Sequence, residues 1–314
     1  MKKANIVILG GGTGLSVLLR GLKSFPVDIT AIVTVADDGG SSGRLRKELD
    51  IPPPGDVRNV LVALSEVEPI VEELFQHRFE NGNGLTGHSL GNLLLAGMTS
   101  ITGDFARGVQ VLSRVLNVKG KVLPAANQSI VLHAEMEDGS LVEGESKIPQ
   151  AGKRIKRVFL EPADVSALAD SVQAIEQADL IVIGPGSLYT SILPNLLVPG
   201  ITRAIKQAKA EKVYICNVMT QPGETDHFTA GDHVQALVDH VGDDLLDKIL
   251  VNTQPIPHSY AERYAGEGAM EVKVDADRLK TLAVEVIGDE LLYFNNQLLR
   301  HDAGKVSQRL VSML

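Results

Sequence analysis

Apolar residues in this chain occur in short runs that alternate with segments of helical periodicity. The first run, residues 6–9, meets a glycine cluster at residues 10–14 and is followed by apolar-periodic residues 15–19. This order predicts a buried strand, a tight turn and the start of a helix. The pattern recurs, with strand-like runs at residues 28–35, 178–183, 212–219 and 249–252. We therefore predict an α/β fold with a doubly wound, mostly parallel, Rossmann-like sheet.

A different pattern interrupts these repeats between Leu123 and Leu160, where the periodicity of apolar residues changes from helical to alternating. The pair Asp138-Gly139 separates two such segments, which is typical of a β-hairpin. We predict a small β-rich unit inserted into the α/β chain. The predicted division is 1–122 and 163–314 for the two parts of one nucleotide-binding α/β domain, with the insertion at 123–162.

The first glycine turn is the strongest candidate for binding chemistry. Gly11, Gly12, Thr13 and Gly14 lie where a strand passes into a helix, and the free N–H groups of such a turn favour phosphate. The dinucleotide fingerprint is incomplete because position 15 is leucine, and no Gly-Lys-Ser/Thr follows, so this is not a P-loop. A plain structural turn is the alternative interpretation.

The end of the next predicted strand supports nucleotide binding. Asp37 lies 23 residues beyond Gly14, close to the spacing of about 20 residues at which an acidic side chain hydrogen-bonds a ribose. Asp37 or Asp38 is therefore predicted to meet ribose or a divalent cation.

The segment after these acids contains three glycines between positions 39 and 43 and is predicted to be a loop, not a helix. Ser41, Ser42 and Arg44 would close over a diphosphate, whereas a flexible surface loop is the alternative. A helix over residues 57–64 is predicted next, capped by Asp56. Arg58 in its first turn would face either the loop or solvent.

Residues 87–91 match G-x-S-x-G, the nucleophile elbow of α/β-hydrolases, with Ser89 as nucleophile. The elbow requires a buried strand directly before it, and a polar, glycine-rich segment stands there instead. We therefore predict that His88, Ser89 and Asn92 contact a ligand or cap the following helix.

A second glycine turn follows the strand at residues 178–183. Gly184, Gly186 and Ser187 are predicted to form a second wall of the site, together with Asn217 and Gln221 after the next strand. Two such turns in one sheet can share a pocket at a topological switch point; a tight structural connection is the alternative. Tyr264 is a candidate for stacking on a base, and a core or rim role is equally compatible with its pattern.

The composition excludes several classes of protein. A formal net charge of −9, no run of Lys or Arg and 4% aromatic residues without tryptophan argue against nucleic acid as a partner. The single cysteine, Cys216, rules out an internal disulfide and is interpreted as a core residue. His227 and His233 lack partners at zinc-ligand spacing, so no metal site is predicted. Without a signal-peptide pattern or an apolar run of membrane-spanning length, we expect a cytoplasmic protein.

Six motifs taken together resemble the YvcK family, the so-called gluconeogenesis factors. These motifs are residues 11–14, 37–44, 54–59, 87–92, 184–195 and 216–225, and they span nearly the whole chain. That family is related to the CofD 2-phospho-L-lactate transferases. The transferase family shares with this chain the first glycine turn and an acid followed by Ser-Gly. It does not share the motif at residues 87–92 or the sequence at residues 186–189.

The resemblance implies a bacterial protein that binds UDP-activated sugars such as UDP-N-acetylglucosamine and links gluconeogenic carbon metabolism to cell-envelope synthesis and cell shape. It implies no required cofactor, with Mg²⁺ as an optional ion, and an enzyme of amino-sugar or envelope synthesis as a candidate protein partner. A homo-oligomer is compatible with it. Two alternatives remain open at this stage, namely a CofD-like transferase that cleaves a nucleoside-diphosphate-activated donor and an NAD-binding protein.

Overall fold

The computed structural model describes residues 3–295 and 298–314. Its strands are β1 Asn5–Gly10, β2 Asp28–Val33, β3 Lys121–Pro124, β4 Val131–Met136, β5 Leu141–Glu143, β6 Ile155–Glu161, β7 Leu180–Ile183, β8 Glu211–Ile215, β9 Lys248–Asn252, β10 Glu285–Asp289, β11 Leu292–Asn295 and β12 Leu298–His301.

The helices flank these strands. They are α1 Gly12–Leu22, α2 Gly40–Leu49, α3 Gly55–Leu64, α4 Pro69–Gln76, α5 Leu90–Thr102, α6 Phe105–Val115, α7 Ala169–Glu176, α8 Leu193–Leu196, α9 Pro199–Gln207, α10 Ala230–Val241, α11 His258–Gly266, α12 Ala276–Thr281 and α13 Ala303–Val311. A single π-helical turn covers Leu188–Ile192.

Seven strands form one parallel sheet in the order β10-β9-β8-β7-β1-β2-β3. Strand β1 pairs with β2 on one side and with β7 on the other. After β1 the chain adds strands β2 and β3 on one side of β1, and it later adds β7 to β10 on the other side. This reversal is the topological switch point at which α/β folds bind ligands. The predicted doubly wound, Rossmann-like α/β fold is confirmed.

The sheet is buried on both faces, which explains why its strands are continuously apolar. In β1, Ile6, Val7, Ile8 and Leu9 are each at most 1% exposed. Parallel sheets covered by helices on both sides require such runs instead of alternation. Because β1 is buried in the sheet, the glycine turn that follows it lies at the carboxyl edge of the sheet.

The inserted unit is a three-stranded antiparallel sheet in the order β5-β4-β6. Asp138 and Gly139 lie at the turn between β4 and β5, and Gly139 has a φ of +80°, a conformation that favours glycine. Strand β3 pairs with β2 in the main sheet. The predicted boundary at residue 123 therefore falls inside a strand of the α/β domain, because the change in periodicity begins before the chain leaves the main sheet.

Residues 40–49 form helix α2, so the predicted loop at this place is wrong. A Cβ atom on Gly43 would overlap the carbonyl oxygen of Asp38. The glycine is present because the helix packs closely against preceding backbone, and this contact outweighs its low helix propensity. Ser41 and Ser42 are buried in the same helix.

The predicted cap of α3 is also wrong. The helix begins at Gly55 after Pro54 and has no side-chain cap, so Asp56 lies inside the first turn. Arg58 is 6% exposed and donates to Oε1 of Gln76 (2.9 Å) and Oδ1 of Asn59 (2.8 Å). It therefore does not face solvent.

A helix with the length and apolar character of a membrane span is absent from the described part of the chain.

Candidate functional site

A cavity of about 630 Å³ opens at the carboxyl ends of β1, β7 and β8. Its lining combines the first glycine turn, the second glycine turn, the segment after β8 and the C-terminal hairpin with α13. Nine predicted site residues line it, namely Gly11, Gly12, Thr13, Gly14, Gly186, Ser187, Asn217, Gln221 and Tyr264. A space of this size matches a typical small-molecule site.

The first glycine turn enters α1 without a side-chain cap, because the N-cap residue is Gly11. Gly12 has a φ of +65°, which favours glycine at this position. A Cβ atom on Gly14 would lie 3.3 Å from the carbonyl oxygen of Pro185, so the two glycine turns are in direct contact. An uncapped helix start facing a cavity is suited to bind an anion.

The second glycine turn already holds an anion from the protein itself. The carboxylate of Glu224 accepts from the N–H of Tyr189 (3.2 Å) and from the hydroxyl of Thr190 (2.9 Å). Glu224 is 7% exposed and lines the cavity. Burial raises its pKa to about 7, and the bonds from Thr190 and Tyr189 oppose that rise. The first turn also contacts a carboxyl, because Gly12 donates its N–H to Asp56. The N–H groups of Thr13 and Gly14 are therefore the candidates for binding phosphate.

A polar network covers the wall next to Glu224. The amide of Gln221 donates to Oγ of Ser187 (2.7 Å), and the amide of Asn217 donates to Oε1 of Gln221 (3.2 Å). These side chains come from the carboxyl ends of β7 and β8, which are neighbours in the sheet. This is the predicted second wall, formed by side chains in place of free backbone amides.

Another part of the wall comes from the C-terminal hairpin and α13 and was missed by sequence reasoning. Leu299, Arg300, His301, Ala303 and Val306 line it, beside Val17 and Leu18 of α1. Arg300 is the single Lys or Arg among the described lining residues. Burial lowers the pKa of His301 to about 4, although a hydrogen bond with the backbone of Cys216 opposes this, so the imidazole is neutral at pH 7.

Tyr264 lines the cavity and anchors this wall. Its hydroxyl donates to the carbonyl of Leu299 (3.3 Å) and accepts from the N–H of Leu299 (3.0 Å). The hydroxyl is therefore engaged with β12. Stacking of the Tyr264 ring on a base stays a prediction.

Two half-buried carboxyls lie close to Asp37: Asp56, which contacts the first turn, and Glu145. Burial, and then the charge of Asp37, raises the pKa of Asp56 to about 7, while a hydrogen bond from the Gly12 backbone and the charge of Arg58 oppose it. Burial, and then Asp37 and Asp56, raises the pKa of Glu145 to about 8. Sequence reasoning considered Asp56 as a helix cap and missed Glu145, which lies in the inserted unit.

The predicted site residues between positions 41 and 92 form a separate cluster. Ser41 hydrogen-bonds Nδ1 of His88 (2.9 Å), and the amide of Asn92 donates to Oγ of Ser41 (3.1 Å) and of Ser42 (3.4 Å). These four residues are buried and join α2 to α5. Burial, and then Arg44, holds the pKa of His88 below its ordinary value. None of the four is among the described residues that line the cavity.

The remaining predicted residues also lie outside the cavity lining. Oδ1 of Asp37 accepts from the N–H of Gly39 (2.9 Å), and Oδ1 of Asp38 accepts from the N–H of Ser146 (2.8 Å). Arg44 donates to the carbonyl of Thr86 (2.7 Å). Gly184 has a φ of +82° at the turn after β7. Contact of Ser41, Ser42 and Arg44 with a diphosphate stays a prediction.

Ser89 caps α5, since its Oγ accepts from the N–H of Asn92 (3.3 Å). The residue before it, His88, is not in a β-strand. Cys216 is 3% exposed and belongs to the core, as predicted. Among residues 3–295 and 298–314, no three His, Cys, Asp or Glu side chains are grouped so as to hold a metal ion.

Asp56→Asn is expected to change the pH dependence of stability. The pKa of Asp56 is about 7 in the folded protein against an ordinary value of 3.8. The folded state therefore binds more protons than the unfolded state between these values, and the free energy of unfolding falls as pH rises from about 4 to about 7. Asparagine removes this contribution, so the variant should gain up to about 4 kcal/mol relative to wild type at pH 8 and nothing at pH 4.

Urea denaturation of both proteins at these two pH values measures the effect. Glu145 and Glu224 should leave a smaller slope of the same sign in the variant. An Asp56→Asn protein that is less stable than wild type at pH 8 would contradict this electrostatic assignment.

Comparison with known proteins identifies relatives along the full length of the chain. The family model for 2-phospho-L-lactate transferase CofD matches residues 6–292. A protein named gluconeogenesis factor from Halalkalibacterium halodurans is 69% identical over 311 residues, which cover 99% of this chain and 97% of the relative. Another of that name from Bacillus subtilis strain 168 is 64% identical over 313 residues, covering 100% of this chain and 99% of the relative.

Solved structures agree with these matches. A crystal structure of a Bacillus halodurans protein superposes with a TM-score of 0.97 at 69% identity, covering 99% of this chain and 100% of that one. A second, described as a member of the upf0052 family, gives a TM-score of 0.96, also at 69% identity, and covers 99% of each chain. The chain therefore belongs to the CofD family, in the branch that contains the gluconeogenesis factors.

Proposed function

We propose that this protein binds a nucleoside-diphosphate sugar of the UDP-N-acetylglucosamine kind and acts as a regulatory protein of gluconeogenic carbon metabolism. The observation that carries the proposal is the first turn of α1, which has no side-chain cap from its N-cap residue Gly11 and opens into a cavity large enough for such a ligand. Gly12 donates its N–H to Asp56, so Thr13 and Gly14 are the residues of this turn whose N–H groups we assign to the ligand. Backbone N–H groups at a helix start supply partial positive charge for a diphosphate. Arg300, which lines the same cavity, supplies a full positive charge.

The names of the relatives support the regulatory part of the proposal. Both the Bacillus subtilis and the Halalkalibacterium halodurans proteins are called gluconeogenesis factors. In this proposal the ligand reports carbon supply, and the bound protein acts on envelope synthesis and cell shape through an enzyme of amino-sugar or envelope metabolism. No cofactor is required for binding.

Titration calorimetry with UDP-N-acetylglucosamine, with and without Mg²⁺, tests the binding step. We expect saturable heat at one site per chain in both conditions, because the positive groups belong to the protein. An absence of heat at millimolar ligand in both conditions would overturn the proposal. NAD should not displace the sugar nucleotide, and competition by NAD would favour a dinucleotide site instead.

A CofD-like transfer reaction is the second candidate. It is favoured by the family model, whose description names a 2-phospho-L-lactate transferase. The acidic side chains that the structure describes in this chain do not form a ready Mg²⁺ site. Asp37 and Asp38 each accept a backbone N–H, and Asp56 accepts from Gly12. Asp37, Asp56 and Glu145 lie close enough for their charges to act on one another, but among the described residues no three such side chains are arranged to hold a metal ion. Incubation with a labelled donor separates the candidates, since a regulator returns the ligand intact.

A further inference from the structure

The two ends of the cavity differ in chemistry. One end is polar and carries Ser187, Asn217, Gln221 and Glu224. The other is apolar and lies between α1 and α13, with Val17, Leu18, Ala303 and Val306. The first glycine turn borders both ends, because Gly14 contacts Gly186 on one side and α1 continues to Val17 on the other.

If the protein binds a nucleotide sugar as proposed above, the difference between the two ends determines which end of the ligand lies where. With the diphosphate at the first turn, the sugar and the nucleoside must extend to opposite ends. Sugar hydroxyls both donate and accept hydrogen bonds, which suits the amides of Asn217 and Gln221 and the carboxylate of Glu224. A flat base buries more apolar area against the α1 and α13 wall.

Glu224 is the charged residue of the polar end. Tyr189 and Thr190 hold its carboxylate in place from behind, and the side chain is almost fully buried. A carboxylate only accepts hydrogen bonds. It therefore favours hydroxyl donors and repels a second anion, and this repulsion is strong where water is scarce.

We propose that Glu224 selects ligands whose sugar is uncharged and rejects nucleotide sugars that carry an acidic sugar. The proposal deepens the binding function by defining the class of sugar. It predicts that neutral hexose and acetamido sugars share the site, whereas uronic acid sugars bind poorly.

UDP-glucose and UDP-glucuronate test this because they differ only at C6, as a hydroxymethyl group against a carboxylate. Calorimetry at pH 8, above the pKa of about 7 for Glu224, should give wild-type affinity for UDP-glucuronate about 30-fold weaker than for UDP-glucose. Glu224→Gln keeps the shape and removes the charge, so the ratio should fall to about 3-fold or less. Glu224→Ala is the second neutral variant if the glutamine variant does not fold.

Glu267→Gln is the matched control. Glu267 also lines the cavity, but its side chain is exposed, so its charge is screened and the 30-fold ratio should persist. Equal wild-type affinities for the two ligands would overturn the role of Glu224 and leave the proposed function standing. An affinity ratio between UDP-glucose and UDP-glucuronate that stays at about 30-fold in both Glu224→Gln and Glu224→Ala would also overturn the role of Glu224. If wild type binds UDP-N-acetylglucosamine but neither of these ligands, the inference fails, because neutral hexose and acetamido sugars would not share the site. If wild type binds none of the three, the proposed function fails with it.

Discussion

Gly21→Ala is expected to destabilise the protein by about 2 kcal/mol and to weaken ligand binding. A Cβ atom on Gly21 would lie 2.5 Å from the carbonyl oxygen of Ala303 and 2.7 Å from its carbonyl carbon. Both atoms belong to the backbone of the first turn of α13, so the clash cannot be relieved by a side-chain rotation. Overpacking of this kind costs about 1–3 kcal/mol, which exceeds the gain in helix propensity of about 1 kcal/mol.

The binding effect follows from the position of α13. This helix supplies Ala303 and Val306 to the cavity and packs against the helix that begins at the first glycine turn. Displacing α13 from α1 therefore opens the apolar end of the cavity. Thermal melting with and without UDP-N-acetylglucosamine should show a lower Tm and a smaller ligand-induced increase in the variant.

Gly97→Ala provides the matched control. Gly97 lies within α5, and a Cβ atom there would have no heavy-atom neighbour within 4 Å. The same substitution should therefore raise stability by up to about 1 kcal/mol. Equal behaviour of the two variants would contradict the close packing of α13 on α1.

Thr13→Pro should lower the affinity for the nucleotide sugar by about 10- to 100-fold. Proline removes the backbone N–H of the residue after Gly12, and a hydrogen bond to a charged group contributes about 1.5–3 kcal/mol. Position 13 lies in the first turn of α1, where an N–H has no partner inside the helix and proline is tolerated.

Thr13→Ala is the control because it removes the hydroxyl and retains the N–H. Its affinity should stay within about 3-fold of wild type, and thermal melting should confirm that both variants are folded. Comparable losses of affinity in the two variants would indicate that the threonine side chain, not the backbone amide, binds the ligand.

Local patterns predicted the parts of the fold that local chemistry determines. The apolar runs identified the strands of the main sheet because burial on both faces requires them, and Asp138-Gly139 identified the hairpin because a positive φ favours glycine. Glycine also misled the prediction at α2. Gly43 reflects contact with the backbone of Asp38, which the sequence around it does not reveal.

The site was only half predictable for the same reason. The first turn carries its function in consecutive residues, so Gly11 to Gly14 were found. Arg300 and His301 reach the cavity because the C-terminal hairpin is brought back over α1 by the fold, and no local motif marks them. Glu224 was missed because its partners, Tyr189 and Thr190, lie on a different strand-to-helix turn.

The cluster of Ser41, Ser42, His88 and Asn92 shows a second limit of local patterns. Polar residues at helix starts after glycines look like ligand contacts, but here they satisfy one another in the buried interface of α2 and α5. Buried polar groups need partners whether or not a ligand is present. Their spacing alone does not distinguish the two roles.

A crystal structure of the protein with UDP-N-acetylglucosamine tests the central claim most directly. The account predicts diphosphate oxygens within about 3 Å of the N–H groups of Thr13 and Gly14, with the sugar toward Gln221 and Glu224 and the base toward α13. A diphosphate bound away from α1, with the first turn in contact only with protein atoms, would contradict it.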